Sequence, residues 1–191
     1  MPDIGFLNGR FMPLSEIAIS VEDRGFQFGD GVYEVIRTYK GVPFQLDAHL
    51  IRLDRSAKAI DLPIPFSRQQ WNDFIQKGLR LGGYAESKVY IQLTRGVAPR
   101  DHLFPSRVQP TTVITIREMR SLDSTLRANG VEVITIEDLR WGRCDIKSLN
   151  LLPNVLARQR AKEAGAFEAI FVRGGYITEG SVSNIMLTQG G

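Results

Sequence analysis

The alternation of apolar and polar residues, broken by turn signals, predicts several short strands along the chain. Asn8-Gly9 stands between apolar residues and is a strong hairpin signal, because both residue types tolerate the backbone of a tight hairpin turn. A second hairpin is predicted around Lys40-Gly41, between residues 32–39 and 42–46. Further strands are predicted at 88–94, 111–117, 131–136, 167–172, 176–178 and 183–188.

Three stretches instead follow a helical period. The first starts at Asp47, which is predicted to cap it, and runs to about Ile60. The second starts at Ser67, which forms a capping box with Gln70, and ends at Gly82-Gly83. The third is predicted for residues 149–164.

This order of elements predicts an α+β fold with two domains. Residues 1–120 read as a small N-terminal α/β domain. Residues 118–130 are polar and read as a linker, and 121–191 as an incomplete, β-rich second domain. The predicted strand at 183–188 leads only into the turn signal Gln189-Gly190-Gly191, whereas a strand and turn normally lead to a partner strand. We therefore expect a fragment of a longer protein.

Composition excludes several classes of function. Hydrophobic residues make up 43% and charged residues 24% of the 191 residues, which indicates a packed globule rather than a disordered chain. The net charge is +3 without any basic run, which disfavours nucleic-acid binding. A single cysteine excludes an intramolecular disulfide, and no spacing suggests a metal site. The chain shows neither a membrane-spanning stretch nor a secretory signal, so we expect a cytoplasmic protein.

Lys147 is a candidate nucleophile. It follows a predicted strand and precedes a predicted helix, with Arg140 and Arg143 nearby in sequence. Desolvation or neighbouring cations lower the pKa of a lysine, and a neutral amine can form a Schiff base with a carbonyl. Taken by itself, this segment is better explained by a solvated lysine at a helix start.

Three other segments have polar side chains suited to ligands. A carboxylate at Glu179 is followed by small hydroxyl residues and an amide, which suit an anion or a heterocycle but more often form a simple polar turn. Arg100 and His102 lie two residues apart in a long loop predicted for residues 95–110. In an extended loop both point the same way, which suits a substrate carboxylate, but a surface loop with solvated charges explains them equally well. Tyr33 opens a predicted strand after a glycine-rich segment, where it presents either its hydroxyl to a ligand or its ring to the core.

In combination, five segments resemble one family. They are DRGFQFGDGVYEVIRTY, HLIRLDRSA, TRGVAPRDHLFP, RCDIKSLNLLPNVLA and EAIFVRGGYITEGSVSN. Their content and order resemble the class IV, fold-type IV aminotransferases that depend on pyridoxal 5′-phosphate (PLP). The loop with Arg100 and His102 is most similar to that of the D-amino-acid aminotransferases. The resemblance spans essentially the whole chain and implies a small α/β domain followed by a partial β-rich domain with the Schiff-base lysine.

The resemblance also implies residue roles. Lys147 matches the catalytic Schiff-base lysine, and Glu179 matches the partner of the cofactor's pyridine nitrogen. Arg52, rather than the neighbouring Arg55, matches the phosphate-binding arginine. The remaining matches are Ser181, Ser183 and Asn184 around the cofactor, and Tyr33, Arg100 and His102 as the trap for the substrate α-carboxylate.

The activity implied is transamination between a D-amino acid, such as D-alanine, and a 2-oxo acid, such as 2-oxoglutarate. Family precedent implies a homodimer in which Arg100 and His102 reach into the partner's site. Three alternatives stay open: a branched-chain aminotransferase, an aminodeoxychorismate lyase, or a catalytically silent fragment. No nucleic-acid or membrane partner is implied.

Overall fold

A computed structural model describes residues 3–107, 109–120 and 123–190 and divides the chain into two compact units. The first unit contains Met1–Arg120 together with Asp145–Leu149, and the second contains Ser121–Cys144 and Asn150–Gly191. The sequence predicted the segment around Lys147 to lie in the second domain. The structure places it in the first, because Tyr33 N–H donates to Lys147 O (3.0 Å) and Leu149 N–H donates to Gly31 O (3.1 Å).

The first unit is built on a six-stranded antiparallel sheet. Its strands are β1 (Ile4–Leu7), β2 (Arg10–Pro13), β3 (Gly31–Tyr39), β4 (Val42–Pro43), β5 (Ser87–Thr94) and β6 (Thr111–Glu118). They lie in the order β2-β1-β6-β5-β3-β4. Strands β3, β5 and β6 form its long centre, and β3 is the strand beside which the Lys147 segment runs.

Both predicted hairpins are present. Asn8 and Gly9 have φ angles of 46° and 100°, and Lys40 and Gly41 have 50° and 78°, all within the left-handed region that such turns require. The second hairpin is shorter than predicted, since β4 ends at Pro43 and a helix already begins at Leu46.

Among its described residues the first unit has three α-helices, α1 (Arg24–Phe28), α2 (Leu46–Lys58) and α3 (Arg68–Gly82), and a short 3-10 helix at Leu14–Glu16. The capping box of α3 is confirmed, because Ser67 Oγ accepts from Gln70 N–H and Gln70 Oε1 accepts from Ser67 N–H. The predicted cap of α2 is wrong: the N-cap is Gln45, and Asp47 lies in the first turn, where its charge complements the helix dipole. The sequence did not predict α1.

The core of the first unit lies between the sheet and helices α2 and α3. The apolar stripe predicted for α2 is confirmed, with Leu50, Leu53 and Ala57 buried. Trp71 and Ile75 of α3 are also fully buried. Ile146, one residue before Lys147, joins this core, so it anchors the segment that carries the lysine.

The second unit is a small three-stranded sheet with a crossover helix. Strands β7 (Val133–Glu137), β8 (Glu168–Arg173) and β9 (Tyr176–Gly180) lie in this order, and α5 (Leu152–Glu163) connects the parallel pair β7 and β8. Its buried centre is small and consists of Ala157, Ala161, Ala169 and Phe171.

Two predictions for this part of the chain differ from the structure. The predicted linker contains a short helix, α4 (Ser124–Asn129). The strand predicted at 183–188 is wrong, since this stretch pairs with no strand among the described residues. Val108 of the predicted loop, Ser121 and Leu122 of the linker, and Gly191 of the turn signal lie outside the described residues. In the described part of the chain, no helix is long and apolar enough to cross a bilayer.

Candidate active site

Lys147 and Tyr33 are in direct contact in the first unit. Lys147 Nζ donates to Tyr33 Oη at 3.2 Å and lies 4.3 Å from the centroid of the tyrosine ring. The lysine backbone is held on both sides, because its N–H donates to Ser56 Oγ (3.2 Å) and its carbonyl accepts from Tyr33 N–H. Helix α5 begins only at Leu152, so Lys147 sits on extended chain beside β3 rather than at a helix start.

A second tyrosine lies beside Tyr33. The ring centroids of Tyr33 and Tyr90 are 5.8 Å apart, and Tyr90 Oη donates to Gln92 Oε1 at 2.7 Å. Burial, together with the nearby Tyr33, raises the pKa of Tyr90 to about 12. The phenol of Tyr90 is thus engaged with Gln92, and the amine of Lys147 has Tyr33 as its phenolic partner.

Arg52 is fixed by a buried carboxylate. Glu34 on β3 is fully buried, and its two oxygens accept from Arg52 Nε (2.6 Å) and Nη2 (2.7 Å), while His49 Nδ1 lies 2.8 Å from Oε2. The hydrogen bonds to Glu34 raise the pKa of Arg52 against the opposing effect of burial. Nη1 has no hydrogen-bond partner among the residues that the structure describes, and the side chain is 39% exposed. A guanidinium so oriented suits a phosphate group.

Glu34 was not predicted as a site residue, although the burial pattern of its strand contains a signal for it. Buried positions alternate along β3, and Glu34 occupies one of them between Val32 and Ile36. A carboxylate at a core position requires a cationic partner. Arg52 on α2 supplies it, and His49, about one turn away on the same helix, lies within hydrogen-bonding distance of the same carboxylate.

Arg100 and His102 are brought together by an aromatic ring on α1. Arg100 Cζ lies 4.4 Å from the Phe28 ring centroid, and the His102 ring centroid is 5.3 Å from it. Both side chains are exposed, so their polar groups are accessible to an anion. Within the described part of the chain, neither hydrogen-bonds to Tyr33 or Lys147.

Glu179 belongs to a charged cluster in the second unit. It forms an ion pair with Arg140, whose guanidinium also binds both oxygens of Asp138 at 2.8 Å. The hydrogen bonds from Arg140 hold the pKa of Asp138 well below its usual range, and Thr178 Oγ1 also donates to this carboxylate (2.9 Å). Asp138 thus orients Arg140, and Arg140 orients Glu179, which keeps 42% of its side chain exposed.

The turn after Glu179 wraps around a second buried carboxylate, that of Glu168. Glu168 Oε1 accepts from Ser181 Oγ (3.2 Å), Val182 N–H (2.7 Å) and Ser183 N–H (3.1 Å). Asn154 Nδ2 donates to Ser181 O from the other side at 2.8 Å. The hydroxyl of Ser181 is therefore engaged inside the unit, whereas the side chains of Ser183 and Asn184 are exposed.

Comparison of the sequence with known proteins identifies relatives over nearly the whole chain. Residues 31–191 match the profile of the family described as amino-transferase class IV. The chain is 44% identical over 182 residues to the D-alanine aminotransferase of Bacillus licheniformis, covering 95% of this chain and 64% of that protein. It is 41% identical over 186 residues to the D-alanine aminotransferase of Staphylococcus haemolyticus, covering 97% and 66%. The chain thus spans just under two thirds of these relatives' length.

Solved structures share the fold. A fold IV transaminase from Curtobacterium pusillum, CpuTA1, superimposes with a TM-score of 0.77 at 25% identity, covering 94% of this chain and 67% of that one. The branched-chain aminotransferase from the thermophilic archaeon Thermoproteus uzoniensis, solved with norvaline, gives a TM-score of 0.81 at 24% identity, covering 93% and 62%. The predicted α+β fold of type IV is confirmed.

Proposed function

The chain belongs to the class IV amino-transferase family, and on this basis we propose that it transfers an amino group between a D-amino acid, such as D-alanine, and a 2-oxo acid, such as 2-oxoglutarate. Within the structure, the contact between Lys147 Nζ and Tyr33 Oη is the observation that supports Lys147 as the reacting amine. The D-alanine aminotransferases at 41% and 44% identity support the D-amino acid as substrate. The likeness to a branched-chain enzyme, at 24% identity, concerns the fold alone.

The proposed cofactor is PLP, which when bound supplies an electron sink for the bond-breaking step at the substrate Cα. Three residues fit it by their own chemistry. Lys147 offers a half-buried primary amine with a fixed backbone, and Arg52 offers an oriented guanidinium to a phosphate. Glu179 offers an oriented carboxylate to a pyridine nitrogen, while Ser183 and Asn184 offer exposed polar groups nearby in sequence. Ser181 hydrogen-bonds to Glu168 and so fixes the turn that carries Ser183 and Asn184.

Lys147 is assigned the proton transfer. An amine that takes a proton from the substrate Cα and returns it elsewhere must be held in place yet be able to change its protonation state. The hydrogen bond to Tyr33 Oη orients Nζ, and the backbone bonds to Ser56 and Tyr33 limit how far the segment can shift.

Substrate recognition is assigned to Tyr33, Arg100 and His102. Arginine binds carboxylates through two parallel hydrogen bonds, and a neighbouring imidazole adds a third donor. Lys147 would deliver the proton to one face of the reacting carbon. The side on which the α-carboxylate is held therefore decides which enantiomer of the amino acid forms. We further propose a cytoplasmic homodimer in which Arg100 and His102 act in the partner's site, as the family resemblance implies.

A coupled assay tests the function. The holoenzyme is mixed with D-alanine and 2-oxoglutarate, and pyruvate is followed over time. D-alanine should give pyruvate and L-alanine should give far less. Equal rates from both enantiomers would remove the D-amino acid as the preferred substrate, and a screen of branched-chain substrates would then identify that alternative.

A visible absorbance spectrum distinguishes a chain that binds PLP from a catalytically silent fragment. Addition of PLP to the purified chain should produce a visible absorbance band that differs from that of free PLP. Without such a band the chain holds no cofactor, and the assignment of Lys147 as the binding amine fails.

A further inference from the structure

Two buried arginines share one aspartate beside the loop that carries Arg100 and His102. Asp30 Oδ2 accepts from Arg24 Nε and from Arg95 Nε, each at 2.8 Å. Both arginines are only 3% exposed. A buried cluster of two cations and one anion contributes little net stability, because the cost of desolvating the charges offsets much of their attraction. The cluster therefore suggests a role besides stability.

The guanidinium of Arg24 also contacts the loop and the aromatic ring beside it. Arg24 Nη1 donates to the carbonyl of Asp101, the residue between Arg100 and His102. Its Cζ also lies 4.9 Å from the centroid of Phe28, the ring against which Arg100 and His102 rest. One guanidinium therefore contacts the buried carboxylate, the loop backbone and the aromatic support of the two side chains.

Arg95 ties the same loop to helix α2 and to its own later part. Nη1 and Nη2 donate to the carbonyls of Asp61 (2.9 Å) and Ile60 (2.7 Å), just beyond the end of α2. Its Cζ lies 3.7 Å from the ring centroid of Phe104, two residues after His102. The loop is thus held before and after the predicted carboxylate-binding residues.

We propose that Asp30, Arg24 and Arg95 are positioning residues that hold Arg100 and His102 in the geometry needed for the substrate α-carboxylate, an inference that rests on the proposed function. Exposed side chains on a long loop lose conformational freedom when they bind, and a loop held in its binding geometry beforehand reduces that loss. The buried arginines can hold the loop in this way, because the planar guanidinium fixes both the direction and the length of its hydrogen bonds.

The chemistry of the reaction gives the proposal a distinctive signature. The amino acid and the 2-oxo acid both carry an α-carboxylate next to the reacting carbon, so one trap serves both. Loosening the trap should raise the KM of both substrates together, whereas cofactor binding through Arg52 and Lys147 should be unaffected.

The test uses Arg24→Lys in the holoenzyme, because lysine keeps the charge but cannot reach Asp30 and the Asp101 carbonyl at once. KM for D-alanine and for 2-oxoglutarate should each rise about tenfold, with the PLP dissociation constant unchanged. Arg37→Lys is the matched control. Arg37 forms an ion pair with Glu86 (3.4 Å between Nη2 and Oε2), and neither residue belongs to this loop. Arg37→Lys should change neither KM.

A second variant guards against misfolding of the first. Phe104→Leu alters a side chain that is 58% exposed and leaves the buried charges intact. Loss of its stacking with Arg95 should raise both KM values roughly two- to fivefold. Unchanged KM values in both variants, or a rise for only one substrate, overturn the inference. A wild-type holoenzyme that forms no pyruvate from D-alanine instead refutes the proposed function, and with it the role assigned to the cluster.

Discussion

Glu34→Gln tests how strongly the buried carboxylate holds Arg52. The substitution keeps the shape of the side chain but removes its charge. Glu34 accepts two hydrogen bonds from Arg52 and lies within 2.8 Å of His49 Nδ1. The amide keeps one acceptor oxygen, while its NH₂ group faces a guanidinium N–H from which it cannot accept. At least one of the two hydrogen bonds from Arg52 is therefore lost.

The magnitude follows from burial. Breaking a fully buried ion pair costs about 3–5 kcal/mol, because the remaining charge stays unpaired. Arg52 is 39% exposed and can be partly hydrated after the loss. We therefore expect the free energy of unfolding of the first unit to fall by about 2–3 kcal/mol, within the range for charge-assisted hydrogen bonds.

Urea unfolding followed by tryptophan fluorescence measures this loss, since Trp71 is fully buried in the core of the first unit. Glu86→Gln is the matched control, because Glu86 pairs with Arg37 near the surface, and its loss should cost about 1 kcal/mol or less. A loss for Glu34→Gln no larger than that for Glu86→Gln would refute the role assigned to the buried carboxylate.

Four further predictions concern the site. Lys147→Ala should abolish the visible band of bound PLP and nearly all turnover; a borohydride-reducible adduct persisting at this site would contradict it. Arg100→Ala should lower kcat/KM for D-alanine roughly ten- to a hundredfold through a lost charge-assisted bond, and an unchanged value would remove Arg100 from the substrate site. Arg52→Ala should weaken PLP binding in a fluorescence titration while Arg55→Ala does not, and equal effects would contradict the choice between them. Because the pKa of Asp138 is depressed in the folded state, its stabilisation is fully present above the unfolded pKa of about 4 and is lost progressively as pH falls from there through the lower pKa of the folded state; an Asp138→Asn variant as sensitive to acid as the wild type would oppose this.

Local patterns predicted most of the first unit. The hairpins at Asn8-Gly9 and Lys40-Gly41 and the capping box of Ser67 with Gln70 depend on residues that are neighbours in the chain. Such features are visible in sequence because their geometry is set by adjacent dihedral angles and by short-range hydrogen bonds. The strand predicted at 183–188 failed for the opposite reason, since a strand needs a partner and the partner is not a local property.

The sequence by itself determined the family, and the residues assigned to the cofactor and the substrate were inferred through it. Tertiary structure alone decided which groups hold those residues. Asp30 and Arg95 are 65 positions apart, and Arg24 lies 77 positions from the carbonyl that it binds. Lys147 rests on Tyr33 across 114 positions. These contacts form only when the folded sheet and the segment around Lys147 bring residues that are distant in sequence close together. A buried charge without a partner is strongly destabilising, so Arg24 and Arg95 are both paired with Asp30 in the folded protein.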